Sequence, residues 1–102
     1  MQKNQARPYD ESKLPSLDEW RAIPVTPIKI SLLIPTQYYA VIDRLMEIRK
    51  GSTPEGGDLP HIVSVNGSHY IHDGHHRLTL AALQGITTYY VRIVYATVSH
   101  KP

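Results

Sequence analysis

Asn66-Gly67 lies between two short runs, His61–Val65 and Ser68–His72, and this dipeptide constrains the chain more than any other. Asn-Gly readily takes the two positive-φ positions of a tight turn, so the flanking runs are expected to pair as an antiparallel hairpin. The register of that hairpin leads directly into Ile71-His72-Asp73-Gly74-His75-His76-Arg77, where a strand ends and a helix begins. The helix is expected over Gly74 to Gln84, with Gly85 as its stop. Leu78, Ala81 and Ala82 fall on one face, and Leu80 and Leu83 fall toward another, which predicts a central helix covered on more than one side.

Upstream, Ile28, Ile30, Leu32 and Ile34 alternate with Lys29 and Ser31, the period of a strand, and Pro35 ends it. Thr36 is placed to cap a helix through Lys50, with Tyr38, Val41, Ile42, Leu45 and Ile48 on one face and Gly51 as its stop. Gly51 to Pro60 has the composition of a loop. The last strand is expected over Thr88 to Val98, rich in β-branched and aromatic residues. The resulting order is β-α-β-β-α-β, an α+β fold with a small mixed sheet and helices. Residues 1–24 are predicted to be an N-terminal arm packing on a domain of residues 25–102. Within the arm, Ser16 and Glu19 have capping-box spacing, and Leu17 and Trp20 are expected to face inward.

At 102 residues the chain suits one small domain. Its 41% hydrophobic and 20% charged residues are those of a packed globular protein. Cysteine is absent, which removes disulfides, thiolate metal sites and cysteine nucleophiles. The first residues lack the apolar core of a secretory signal, and no stretch approaches the roughly 20 apolar residues of a membrane span, so no membrane partner and a cytoplasmic location are expected. The net charge of +2 includes no dense basic block, which argues against strong nonspecific nucleic-acid binding.

The chemistry concentrates at the turn around Gly74. A helix start presents backbone N–H groups and the positive end of the helix dipole, which attract anions. Gly74 lets the backbone take positive φ or approach a ligand, Arg77 offers a planar fork for phosphate oxygens, and His75 and His76 donate hydrogen bonds or take up protons near neutrality. Asp73 can cap the helix, orient a histidine, coordinate Mg²⁺ or act as a base. Taken singly, Asp73 is as readily a plain cap, Gly74 a turn residue and Arg77 a surface salt-bridge residue. Thr36 and Gln37 form a second constellation at the end of the first strand. Most of the tyrosines at 38, 39, 89, 90 and 95 are expected to fill the core, and His61, His69 and His100 read as ordinary hairpin and tail residues.

The Asp73-Gly74-His75-His76-Arg77 string, preceded by a hairpin and followed by Leu-Thr-Leu-Ala-Ala-Leu-Gln-Gly, resembles the ParB/sulfiredoxin superfamily. The resemblance extends over Val25 to Val94 and includes Leu33-Ile34-Pro35-Thr36-Gln37 at the end of the upstream strand. It implies a phosphate cradle. Sulfiredoxins use Gly, His and Arg around ATP phosphates, which match Gly74, His76 and Arg77, whereas their catalytic cysteine falls at His75. Cysteine-dependent sulfinic acid reduction is therefore not implied. ParB proteins bind CTP at this turn through a motif that carries over at Gly74 and Arg77. Free-serine kinases of the superfamily use Asp-Gly-His-x-Arg, which carries over at Asp73, Gly74, His75 and Arg77.

The leading expectation is thus a domain that binds a nucleotide or other phosphate ligand through Thr36, Gln37, Gly74, His75, His76 and Arg77. Asp73 and His75 are its candidate catalytic groups for NTP hydrolysis or phosphotransfer, with Mg²⁺ and ATP, ADP or CTP as cofactors. No metal ligands are assigned, and a homodimer is compatible with the chain. Two other classes stand beside it. One is a metal-dependent nuclease, suggested by His61, His69, His72, Asp73, His75 and His76 in a ββα order and weakened by the short Asn66-Gly67 turn. The other is a non-enzymatic protein-interaction module on the same scaffold.

Overall fold

A computed structural model describes residues 1–36 and 59–97. The helix expected between Thr36 and Lys50, the loop over residues 51–58, Gln37, Tyr38, Tyr39, Val98 and His100 lie outside the described residues. The elements are α1 (Leu17–Arg21), β1 (Val25–Lys29), β2 (Leu33–Ile34), β3 (His61–Val65), β4 (Ser68–Asp73), α2 (His75–Leu83) and β5 (Thr88–Ala96), with short 3-10 turns at Glu11–Lys13 and Ile30–Leu32. The five strands form one mixed sheet in the order β1-β5-β3-β4-β2. The fold class is α+β, as the alternation of strand and helix signals implies.

The hairpin forms as its turn dictates. Asn66 and Gly67 take φ of 50° and 84°, and Val65 pairs with Ser68. Near the open end the register slips by one residue, so that Ile62 faces Ile71 but His61 faces Asp73. His72 is the extra residue of this bulge, which re-aims Asp73 just before the helix.

The single strand expected from Ile28 to Ile34 is instead divided. Ile30–Leu32 closes a 3-10 turn, and the two pieces occupy opposite edges of the sheet: β1 pairs antiparallel with β5, and β2 pairs parallel with β4. Four residue steps reach at most about 14 Å. In a flat sheet the edge strands would be about 19 Å apart. The sheet must therefore curl until its edges approach, and the 3-10 turn closes the gap, held by the Ile30 N–H donating to the Thr87 carbonyl at 2.9 Å. Alternation carried the right side chains inward (Ile28, Ile30 and Ile34 are buried) but leaves Leu32 47% exposed at the turn.

Both faces of the sheet are covered. On one, Ile28, Leu33, Ile62, Ile71 and Val91 pack with Leu78 and Ala81 of α2. On the other, Val63, Val65, Tyr70, Val94 and Ala96 pack with Tyr9, Leu14, Trp20 and Ile23 of residues 1–24. Strand β3 is consequently buried at every position. The α1 capping box is complete, with Ser16 Oγ accepting from the Glu19 N–H and Glu19 Oε1 accepting from the Ser16 N–H at 2.8 Å. Trp20 is buried, while Leu17, expected inward, is 50% exposed.

Helix α2 begins and ends within a residue of its expected bounds, and Gly85 takes φ of 82°. It buries a single stripe, His75, Leu78 and Ala81, rather than several faces, and Leu83 is 60% exposed. Tyr90 and Tyr95 are also exposed, contrary to their expected place in the core, because β5 runs past the elements that cover its centre. No described helix is long and apolar enough to cross a membrane.

Ile62 and Leu78 meet at the centre of the helix-side core with no exposed surface. Ile62→Ala is expected to lower unfolding stability by about 2 to 5 kcal/mol, read from urea denaturation, because this site has little room to collapse. A loss comparable to that of an exposed change such as Leu83→Ala would contradict the packing.

Candidate functional site

The sheet and α2 bring together the end of β2, the end of β4 and the start of the helix. Gly74 is the residue before the helix, with φ of 94° and ψ of 19°. A Cβ placed there would lie 2.8 Å from Pro60 Cβ and 2.9 Å from Pro60 Cα. Glycine is therefore required twice over, for the left-handed backbone and for close approach to another part of the chain. The neighbour it approaches is Pro60, whose carbonyl accepts from the Arg92 N–H at 2.9 Å.

Asp73 is exposed, and its Oδ1 accepts from the Gly74 N–H at 2.9 Å. It thus braces the turn, and the residue before α2, a glycine, supplies no side-chain cap. His76 and Arg77 follow on the half-buried side of that turn. His75 differs from both: it is 2% exposed, and its ring faces the interior. Its Nε2 accepts the Thr36 backbone N–H at 2.9 Å, which requires that nitrogen to be unprotonated and places the ring proton on Nδ1. Burial, with the positive charge of Arg7 beside it, holds the His75 pKa down at about 4. A neutral, buried histidine ties β2 to α2 here, whereas the sequence suggested a cationic or proton-transferring group.

Thr36 completes the joint. Its Oγ1 donates to the Ile71 carbonyl at 2.6 Å and lies 3.3 Å from His75 Nε2. The same oxygen accepts from Arg7 Nε at 2.9 Å. Arg7, which nothing in the sequence singled out, also donates to the His72 carbonyl at 2.8 Å and to Glu11 Oε1 at 2.7 Å. The Tyr9 hydroxyl and His72 Nδ1 share a hydrogen bond at 3.1 Å. Burial raises the Tyr9 phenol to about 12 and, with the Arg7 charge, lowers the His72 imidazole. His61 is no ordinary hairpin residue, for its ring stacks on Trp20 at 4.2 Å with the planes 1° apart. Arg92 crosses beneath to donate to the Ile23 carbonyl.

The predicted residues Thr36, Gly74, His75, His76 and Arg77 do gather at one helix start, with Asp73 beside them. The residues missed are Arg7 and Tyr9, whose contacts with Thr36 and His72 span 29 to 65 positions. Only the lone Trp among aliphatics signalled that the arm would dock. The histidines and carboxylates of the hairpin are dispersed among stacking and structural contacts, and among the described residues no three of them group to hold a metal ion.

Among the described residues, the fold is thus a curled mixed sheet covered by one helix and one arm, with a polar joint where the arm, β2, β4 and α2 meet. Among solved structures, sulfiredoxin from Arabidopsis thaliana is similar with a TM-score of 0.49 and 15% identity, over 72% of this chain and 88% of that one. Protein Atu1540 from Agrobacterium tumefaciens is similar with a TM-score of 0.49 and 23% identity, over 78% of this chain and 42% of that one. Among curated proteins no match is found. The family described as antitoxin VapB-like matches residues 1–97, and the chain belongs to that family.

Two outcomes follow from the joint. Gly74→Ala is expected to cost about 2 kcal/mol or more, since it adds both backbone strain and overpacking against Pro60; thermal unfolding reads it. The depressed pKa of His75 gives a pH signature. Unfolded, the ring protonates near 6.5, but folded it resists until about 4. Its contribution is complete above pH 6.5 and is lost as the pH falls toward 4, on the order of 3 kcal/mol in all. Urea titrations at pH 7, 5.5 and 4.5 should show this decline, and His75→Gln should flatten it.

Proposed function

We propose that this chain is a non-enzymatic protein-interaction module, an antitoxin whose partner is a toxin protein. The observation that carries this reading is the family match, which takes in the arm together with the sheet and so embraces nearly the whole chain. The geometry supports it. At the turn where relatives by motif would place reacting groups, His75 is neutral and buried, Thr36 is engaged on both sides, and Arg7 of the chain itself fills the space above them. These groups serve as a joint that fixes the arm to the sheet.

A second reading retains a nucleotide or other phosphate ligand at the start of α2. What favours it is the left-handed Gly74 opening a nine-residue helix, a helix start at which the glycine itself supplies no side-chain cap. Gly74, His76 and Arg77 would hold the phosphates, Thr36 and Gln37 would border them, and Asp73 with His75 would be the catalytic candidates. For Mg²⁺ the described turn offers one exposed carboxylate, Asp73, in keeping with the few protein ligands a nucleotide-bound Mg²⁺ takes.

The two readings are separated by experiment. Expression of candidate toxins from the same genome should arrest growth, and co-expression of this chain should relieve the arrest by one of them and yield a complex by size exclusion. No relief and no complex with any candidate would overturn the antitoxin reading. Calorimetric titration with ATP, ADP and CTP in the presence of Mg²⁺ tests the other: binding heat that disappears in Arg77→Ala supports it, and no heat with any nucleotide retires it.

A further inference from the structure

Residues 1–7 run beside the β2 edge of the sheet, outside any helix or strand. Met1 borders an open cleft of about 480 Å³ formed with Ile30, Ala82 and Ile86 among others. Gln2 then donates its backbone N–H to the Leu33 carbonyl at 2.8 Å and its side-chain amide to the Ser31 carbonyl at 3.4 Å. The Gln5 N–H donates to the Pro35 carbonyl at 2.8 Å. Arg7 ends the track in a socket made of acceptors: Thr36 Oγ1, the His72 carbonyl and the Glu11 carboxylate. Such a set of oxygens is matched to a guanidinium, whose nitrogens only donate.

The hold on this segment is weak everywhere except at Arg7. Every side chain from Met1 to Ala6 is exposed, so little apolar burial fixes it. Ordering six residues costs more conformational entropy than two backbone hydrogen bonds return. Beneath it, the outward carbonyls of the β2 edge are a ready template for an extended chain, since each can accept from any residue with an N–H. The segment therefore behaves as a stand-in that keeps the edge covered.

We propose that the cleft, the β2 edge and the Arg7 socket form a docking groove for an extended segment of the partner protein. That segment carries an apolar residue for the cleft and an arginine six positions later, and it enters by displacing residues 1–7. The inference rests on the reading of the chain as a protein-binding module and names where that binding occurs.

The probe is a fluorescent peptide with the sequence of residues 1–7, Met-Gln-Lys-Asn-Gln-Ala-Arg, followed by anisotropy. It should bind saturably to the chain lacking residues 1–7, at least tenfold more weakly to the full chain, and at least tenfold more weakly when the peptide carries Arg7→Ala. Absence of binding to the folded, shortened chain, or equal binding of both peptides, overturns the groove. Hydrogen exchange on the full chain provides a check that needs no deletion. The Gln2 and Gln5 amides should exchange at least 100-fold faster than those of Ile62 and Ile71, and equal protection would overturn displacement. Toxin binding by the full chain is scored separately. A toxin complex without peptide binding refutes the groove alone, and peptide binding without any toxin complex refutes the antitoxin reading alone.

Discussion

The rest of the structure depends on the complete burial of β3. A strand at the centre of a curled sheet presents side chains to both faces, and here Ile62 points into one core while Val63 and Val65 point into the other. Neither face can be left to water. Helix α2 covers the first, and among the described residues those of the arm, 1–24, cover the second through Tyr9, Leu14, Trp20 and Ile23. The arm thus completes the second core. At the boundary Arg92 reaches the Ile23 carbonyl, and His61 lies flat against Trp20.

The joint at Thr36 follows from the same arrangement. Once the arm lies across the sheet, Arg7 arrives at the point where β2, β4 and α2 end together. Its charge next to His75 and His72 favours their neutral forms, and neutrality is what the Thr36 N–H requires of its acceptor. Each contact supports the others: the bulge at His72 frees a carbonyl for Arg7, Gly74 brings the helix against Pro60, and His75 fastens the helix to β2. A turn whose residue types suggest phosphate chemistry is put to use as a fastening.

Much of this was legible from local pattern. Asn66-Gly67 announced the hairpin and its register, Ser16 and Glu19 the first helix, and Gly74 and Gly85 the two ends of the second. The gathering of Thr36 with the Asp73–Arg77 turn was also foreseen, from the resemblance of the motif. The alternation from Ile28 to Ile34 was read correctly for the burial of Ile28, Ile30 and Ile34, but not for Leu32, which is exposed while Leu33 is buried, and incorrectly as one strand. Periodicity reports which side chains face inward, and a 3-10 turn that changes edges keeps most of that pattern.

What the sequence determined by itself was therefore each element whose cause lies within a few residues: turns that need positive φ, caps that need an oxygen three positions away, and periods of side-chain burial. Tertiary structure alone decided that Arg7 sits above Thr36, that Tyr9 meets His72, that Trp20 covers His61, and that His75 is neutral and structural. The physical reason is that a histidine's charge and partners depend on desolvation and on groups brought from far along the chain. His75 takes its hydrogen from a residue 39 positions upstream, and no local pattern encodes that distance.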